Sequence, residues 1–146
     1  MNIICNKNIL NEAISSVSKA VSSHSNFAIL EGILIKADIE GFITFISNDM
    51  EMGIEAKIEA RVIKPGQTVL NAKMLGNIIK NLPSEEVYIE TNEINYCTIK
   101  SGSAKFEIMG LNPSEFPELP IINHDYSVSI SKNMLRDMIS RTVFSV

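Results

Sequence analysis

The sequence predicts an α+β fold with antiparallel sheets, and three observations carry that prediction. First, residues 6–22, 71–82 and 131–143 place apolar side chains at three- and four-residue spacing, the pattern of amphipathic helices. Second, much of the chain between the first two windows and beyond the second alternates in hydrophobicity and is punctuated by short turns, the pattern of hairpins and meanders. Third, the end of the chain repeats its beginning. Ser131 to Ser140 (SKNMLRDMIS) aligns with Asn6 to Ser15 (NKNILNEAIS) at a constant offset of 125, with identities at Lys7, Asn8, Leu10, Ile14 and Ser15. The second copy stops after one strand and one helix, so the expected organisation is one complete unit at 1–122 and the opening of another at 123–146, within a longer parent protein.

Length and composition agree with a packed domain. The chain has 146 residues, 45% of them apolar, enough to bury a core, and its 7 glycines and 5 prolines rule out collagen-like or low-complexity character. No apolar run approaches the ~20 residues of a membrane span, and the first residues lack the charged start and long apolar middle of a signal peptide. A soluble cytoplasmic protein without membrane contact is expected. Cys5 and Cys97, two cysteines in strand-like patterns, suggest reduced core residues rather than a disulfide framework or zinc site.

The elements follow in order. Met1 to Cys5 reads as a strand, and Asn6 is placed to cap a helix whose buried stripe is Ile9, Leu10, Ala13, Ile14, Val17 and Val21. Ser22 to Asn26, with His24 at its centre, is a polar loop. Phe27 to Ala37 and Phe42 to Ser47 form a hairpin about Glu40-Gly41. Met50 to Val62 alternates over a length that calls for a bend, expected near Gly53. Thr68 to Leu70 is a brief strand, and Asn71 caps a short helix ended by Pro83. Val87 to Glu90, Tyr96 to Lys100 and Ala104 to Met109 make a meander. Leu111 to Asp125, with Pro113, Pro117 and Pro120, is an extended segment lying across a surface and anchored by Phe116 and Leu119. Tyr126 to Ile130 is a last strand before the last helix.

Charge distribution is more informative than the net charge of −4. The three helical windows hold Lys7, Lys19, Lys73, Lys80, Lys132, Arg136 and Arg141 against Glu12 and Asp137, a net of +5, which leaves −9 for the rest. The helix at 71–82 contains no acid at all. Met74, Leu75, Ile78, Ile79 and Leu82 share one face, Lys73, Asn77 and Lys80 another, so its polar side suits a negative partner outside the chain. The first helix adds a small, hydroxyl-rich surface able to approach a phosphate backbone closely. Catalytic signatures are scarce: there is no Gly-rich phosphate loop, HExxH, Cys-x-x-Cys or G-x-S-x-G, and no cofactor or metal site is expected. Asp49 and Glu51 form a carboxylate pair that a metal-dependent DNA-processing enzyme would use, although Asp49 reads better as a turn residue. His124-Asp125 reads as a linker pair.

FAILEGILI, SNDMEMGIEA, LNAKMLGNIIKNLP, IKSGSAKFEI and LNPSEFPELP, taken as an ordered set, resemble the bacterial sliding clamp family, the beta subunit of DNA polymerase III. The resemblance covers the first domain of that family and enters the second. It implies two inner helices packed on antiparallel sheets, and a head-to-tail dimeric ring around duplex DNA that tethers the replicative polymerase and is placed by a clamp loader, without catalysis of its own. It implies DNA-facing roles for Lys73 and Lys80, which match basic positions of the family's inner helix, and for the loop that holds His24; the basic character of the first helical window adds Lys7 and Lys19 as DNA-facing candidates. It also implies a subunit interface at Lys105, Phe106, Ile108, Ile78 and Met74. His24, Ala28 and Ser103 depart from the family pattern, which commonly has a longer base, a proline and a base there. A protein-interaction domain without a DNA role is the remaining alternative.

Overall fold

The computed structural model describes residues 1–22, 27–119 and 127–143. The chain runs through β1 (Asn2–Asn6), α1 (Lys7–Val17), β2 (Gly32–Ala37), β3 (Phe42–Asn48), β4 (Gly53–Glu59), β5 (Arg61–Lys64), β6 (Gly66–Asn71), α2 (Ala72–Lys80), β7 (Glu86–Thr91), β8 (Tyr96–Ser101), β9 (Ala104–Met109) and α3 (Lys132–Thr142). The strands form two antiparallel sheets, ordered β5-β1-β7-β8-β9 and β4-β3-β2-β6.

Up to β9 the topology is a duplication. β1-α1-β2-β3-β4 and β6-α2-β7-β8-β9 are the same succession of elements, and each half gives its first strand to the other half's sheet: β1 pairs with β7, β6 with β2. Each helix therefore links the two sheets. Leu10, Ala13, Ile14 and Val17 from α1 and Ala72, Leu75 and Ile79 from α2 meet Ile3, Ile33, Ile35, Ile43, Phe45, Val87, Ile89 and Ile99 in one core. At roughly 1.5–3 kcal/mol for each large apolar side chain removed from water, this core holds the two sheets and two helices together.

The caps form as the sequence predicts. The Asn6 side chain accepts from the backbone N–H of Asn8 and Ile9, and that of Asn71 from Met74; Ser131, at the position equivalent to Asn6, also caps, accepting from Met134. The meander also forms, and Phe116 is buried against Leu34, Ile46 and Val69 on the outer face of the four-stranded sheet, with Leu119 half-buried beside them. Leu111 ties this crossing segment to the sheet by a bridge to Val69.

Four expectations need correction. The stretch from Phe27 is not strand throughout: Ala28–Glu31 is a 3-10 turn that brings the chain back from α1, with the Ser22 N–H donating to the Leu30 carbonyl, and the strand starts at Gly32. The long alternating stretch breaks at Ala60, where the chain leaves one sheet for the other, while Asn48–Met52 is a turn in which Met50 has φ 77. Gly53 has a different role, because a Cβ there would lie 2.2 Å from Leu119 Cδ2; its bareness seats the crossing segment. Ile9 is 50% exposed and lies outside the buried stripe, and α1 gives way after Val17 to a 3-10 turn at Ser18–Ala20. Ser127–Ile130 forms no strand among the described residues, since alternation alone cannot make a strand without a partner ladder. Tyr126 and the His124-Asp125 pair lie outside the described residues.

Candidate functional site

The two helices run antiparallel across the sheets. Lys7 at the start of α1 reaches Leu82 just past α2, the middle of α2 meets Ile14 at Gly76, and Ser18 and Val21 line one hollow with Ala72 and Lys73. Each helix buries one side in the core. On the opposite side α1 exposes Asn8, Glu12 and Ser15, followed by Lys19 in the 3-10 turn, and α2 exposes Lys73, Asn77 and Lys80. Lys73 and Lys80 are seven residues apart, about two turns or ~10 Å along one face. Among the described residues no ion pair engages either lysine; the pairs there are Lys57 with Asp38 and Lys105 with Glu107. The result is a shallow surface of amides, hydroxyls and ammonium groups, with Glu12 on α1 and the Glu85 carboxylate against Asn8 and Glu31 in the hollow beside Lys73 as its acids. Such a surface can hold a polyanion by charge and hydrogen bonds without reading its sequence.

Lys7 stands apart from this set. Its side chain is half-buried and donates from Nζ to the Leu82 carbonyl at 2.6 Å, so it is engaged within the fold rather than presented outward. His24 lies outside the described residues. The acidic turn is likewise engaged: Asp49 Oδ1 accepts from the N–H groups of Glu51 and Met52 at 3.0 and 2.7 Å, and these bonds hold its carboxyl below the ordinary range. The exposed position of Glu51 next to it makes a surface turn of the pair.

A second surface lies at the edge of the five-stranded sheet, where the outer side of β9 is unpaired among the described residues. Lys105 and Glu107 face outward and are paired at 2.5 Å, and the Tyr96 hydroxyl donates to Glu107 at 2.6 Å. The ammonium and this hydroxyl together hold the Glu107 carboxyl low. Phe106 and Ile78 are half-buried against the core, whereas Met74 is 51% exposed. Ile108 differs from expectation: at 3% exposure its side chain belongs to the core, leaving its backbone to the edge. Phe106 and Ile108 point to the same side of the strand, and only the position nearer the strand's middle keeps a partly open face.

Cys5 and Cys97 are buried, and burial pushes both thiols up to about 12, which makes them inert core residues. No helix among the described residues is long and apolar enough to cross a membrane. Sequence reasoning missed Glu85, whose carboxylate accepts from the Asn8 side chain at 2.8 Å; a hydrogen bond spanning 77 residues leaves no local signal.

Residues 1–120 match the family model described as DNA polymerase III beta subunit, N-terminal domain. The beta sliding clamp of Halalkalibacterium halodurans is 36% identical over 154 residues, an alignment covering 100% of this chain and 40% of that protein. The beta sliding clamp of Synechococcus elongatus is 31% identical over 147 residues, covering 99% and 39%. The crystal structure of the DNA polymerase sliding clamp from Bacillus subtilis matches with a TM-score of 0.94 at 34% identity, over 99% of this chain and 40% of that one. The chain thus spans about two-fifths of the length of these relatives.

Proposed function

We propose, because this chain belongs to the DNA polymerase III beta subunit family, that it is part of a DNA sliding clamp: a non-catalytic subunit that encloses duplex DNA and tethers a polymerase. The observation that carries the reading is the acid-free outer face of α2, with Lys73, Asn77 and Lys80 turned away from the sheets and no counter-ion among the described residues. A wall of this kind attracts phosphates without gripping particular bases, as a ring that slides requires. Two lysines on one helix are few, so the chain's own affinity is very weak and enclosure supplies the retention.

In this reading residues 1–122 form a first domain and 123–146 begin a second. The protein works in the cytoplasm as a homodimeric ring, with a DNA polymerase and a clamp loader as partners. The edge at β9, with Lys105, Phe106, Met74 and Ile78, joins the next subunit; an unpaired strand edge is a ready template for such a joint. Phe106→Glu in the ring-forming protein gives monomers by analytical ultracentrifugation, and a dimer unaffected by it rejects this edge as the joint.

Topology provides the test of enclosure. A protein carrying this chain together with the remaining length of its relatives, loaded on nicked circular DNA, co-elutes with the circle in gel filtration and is lost when the circle is linearised. Retention that is the same on circular and linear DNA rejects enclosure.

A further inference from the structure

The Lys7 and Glu85 hydrogen bonds lie at the same place, where the start of α1 meets the end of α2. α1 begins badly for its own dipole: its first residue is Lys7 and its first turn holds no acid. The end of α2 carries Lys80 and pairs the Asn77, Ile78 and Ile79 carbonyls locally, and the Leu82 carbonyl, two residues past the helix, lies beyond those pairings. Lys7 Nζ donates to the Leu82 carbonyl at 2.6 Å, across 75 residues of sequence. In the other direction, Glu85 follows α2 and serves α1. Its backbone carbonyl accepts from the Lys7 N–H at 2.7 Å, and its Oε2 accepts from the Asn8 side chain at 2.8 Å and lies 3.5 Å from the side-chain nitrogen of Asn6, the capping residue.

We propose that Lys7 and Glu85 form a reciprocal clasp, in which the cation at the start of α1 holds the segment just past α2 and the acid after α2 supplies the negative charge that the first turn of α1 lacks. Both are positioning residues. The first turn of α1 has no acid of its own, whereas the last turn of α2 already holds Lys80, and the Lys7 and Glu85 bonds are made only when the two helices lie antiparallel in this register. The charged hydrogen bonds add to the register already set by the shared core and by the β1–β7 ladder, which ends at Asn6 and Glu86. The clasp fixes Lys73 and Lys80 of α2 relative to Asn8 and Ser15 of α1. That this sets the shape of a DNA-facing wall rests on the function proposed above, whereas the clasp itself does not.

The test uses the 146-residue chain without DNA, so its outcome is independent of that reading. In the wild type, NMR should show the Lys7 ammonium in slow exchange with a through-bond coupling to the Leu82 carbonyl carbon. Amide exchange should then respond crosswise. Lys7→Met speeds exchange at Asn81 and Leu82, at the end of α2, by about fivefold or more, and leaves Asn8 and Ile9 unchanged or slower because a cation has left the wrong end of α1. Glu85→Ala speeds exchange at Asn8 and Ile9 and spares Asn81 and Leu82, while Lys7→Arg, which keeps a cationic donor, restores the wild-type pattern at α2. An ammonium without the coupling, or variants that loosen only their own segment or both ends equally, overturns the clasp. The coupling on the unmodified chain decides the matter even where a variant fails to fold. Absence of the clasp with retention on circular DNA intact would reject this inference alone, and the reverse result would reject only the function.

Discussion

α1 and α3 are the same helix in two settings. Both are 11 residues long, their boundaries differ by the repeat offset of 125, and each is capped by the polar residue before it, Asn6 or Ser131. Their tertiary fates differ. Leu10 and Ile14 are 0% and 1% exposed, whereas Leu135 and Ile139, the equivalent residues, are 45% and 55% exposed. α1 follows a strand paired on both sides and leads into the second sheet; the four residues before the cap of α3 make no strand among the described residues. The comparison separates two kinds of information. Caps and apolar period suffice to make a helix, but burial of its stripe requires the sheets that the rest of the duplicated unit supplies.

The largest expected effect sharpens that contrast. Leu10→Ala destabilises the chain by about 2–5 kcal/mol in chemical denaturation, whereas Leu135→Ala changes it by no more than ~0.5 kcal/mol. Equal destabilisation would mean that α3 is packed as α1 is. The caps give a smaller version of the same test. Asn6→Ala costs about 1 kcal/mol of global stability, whereas Ser131→Ala lowers helicity without moving the main unfolding transition, as circular dichroism would show. Smallest, and opposite in sign, is Gly76→Ala. A Cβ there meets Ile14 Cγ2 at 4.0 Å, an ordinary van der Waals distance. Replacing this helix-interior glycine therefore raises stability by about 0.5–1 kcal/mol. A destabilised Gly76→Ala variant would show that α1 and α2 pack more closely than this distance implies.

What was legible in the sequence divides along the same line. Asn6 and Asn71 as caps, the meander from Val87 to Met109, and Phe116 and Leu119 as anchors are local patterns, and each forms. The acid-free face of α2 was legible because it lies within a single short window of sequence. The exchange of β1 and β6 between sheets was not legible, because alternation says that a strand exists and not which strand it joins. Lys7 was placed with the outward bases for the same reason: its partner is 75 residues away, and only the fold brings Leu82 to it. Ile108 shares its side of β9 with Phe106, and their different depths depend on what packs beneath them.

The proposed function puts the outer face of α2 against phosphates, and the most direct measurement is the salt dependence of DNA association in the proposed closed ring. Lys73→Glu with Lys80→Glu should leave ring closure intact, weaken association, and flatten the log–log salt slope by roughly 0.9 for each phosphate that is no longer neutralised. A double variant with unchanged closure and the wild-type slope would contradict the account, because an acid-free helix face would then owe its composition to something other than DNA.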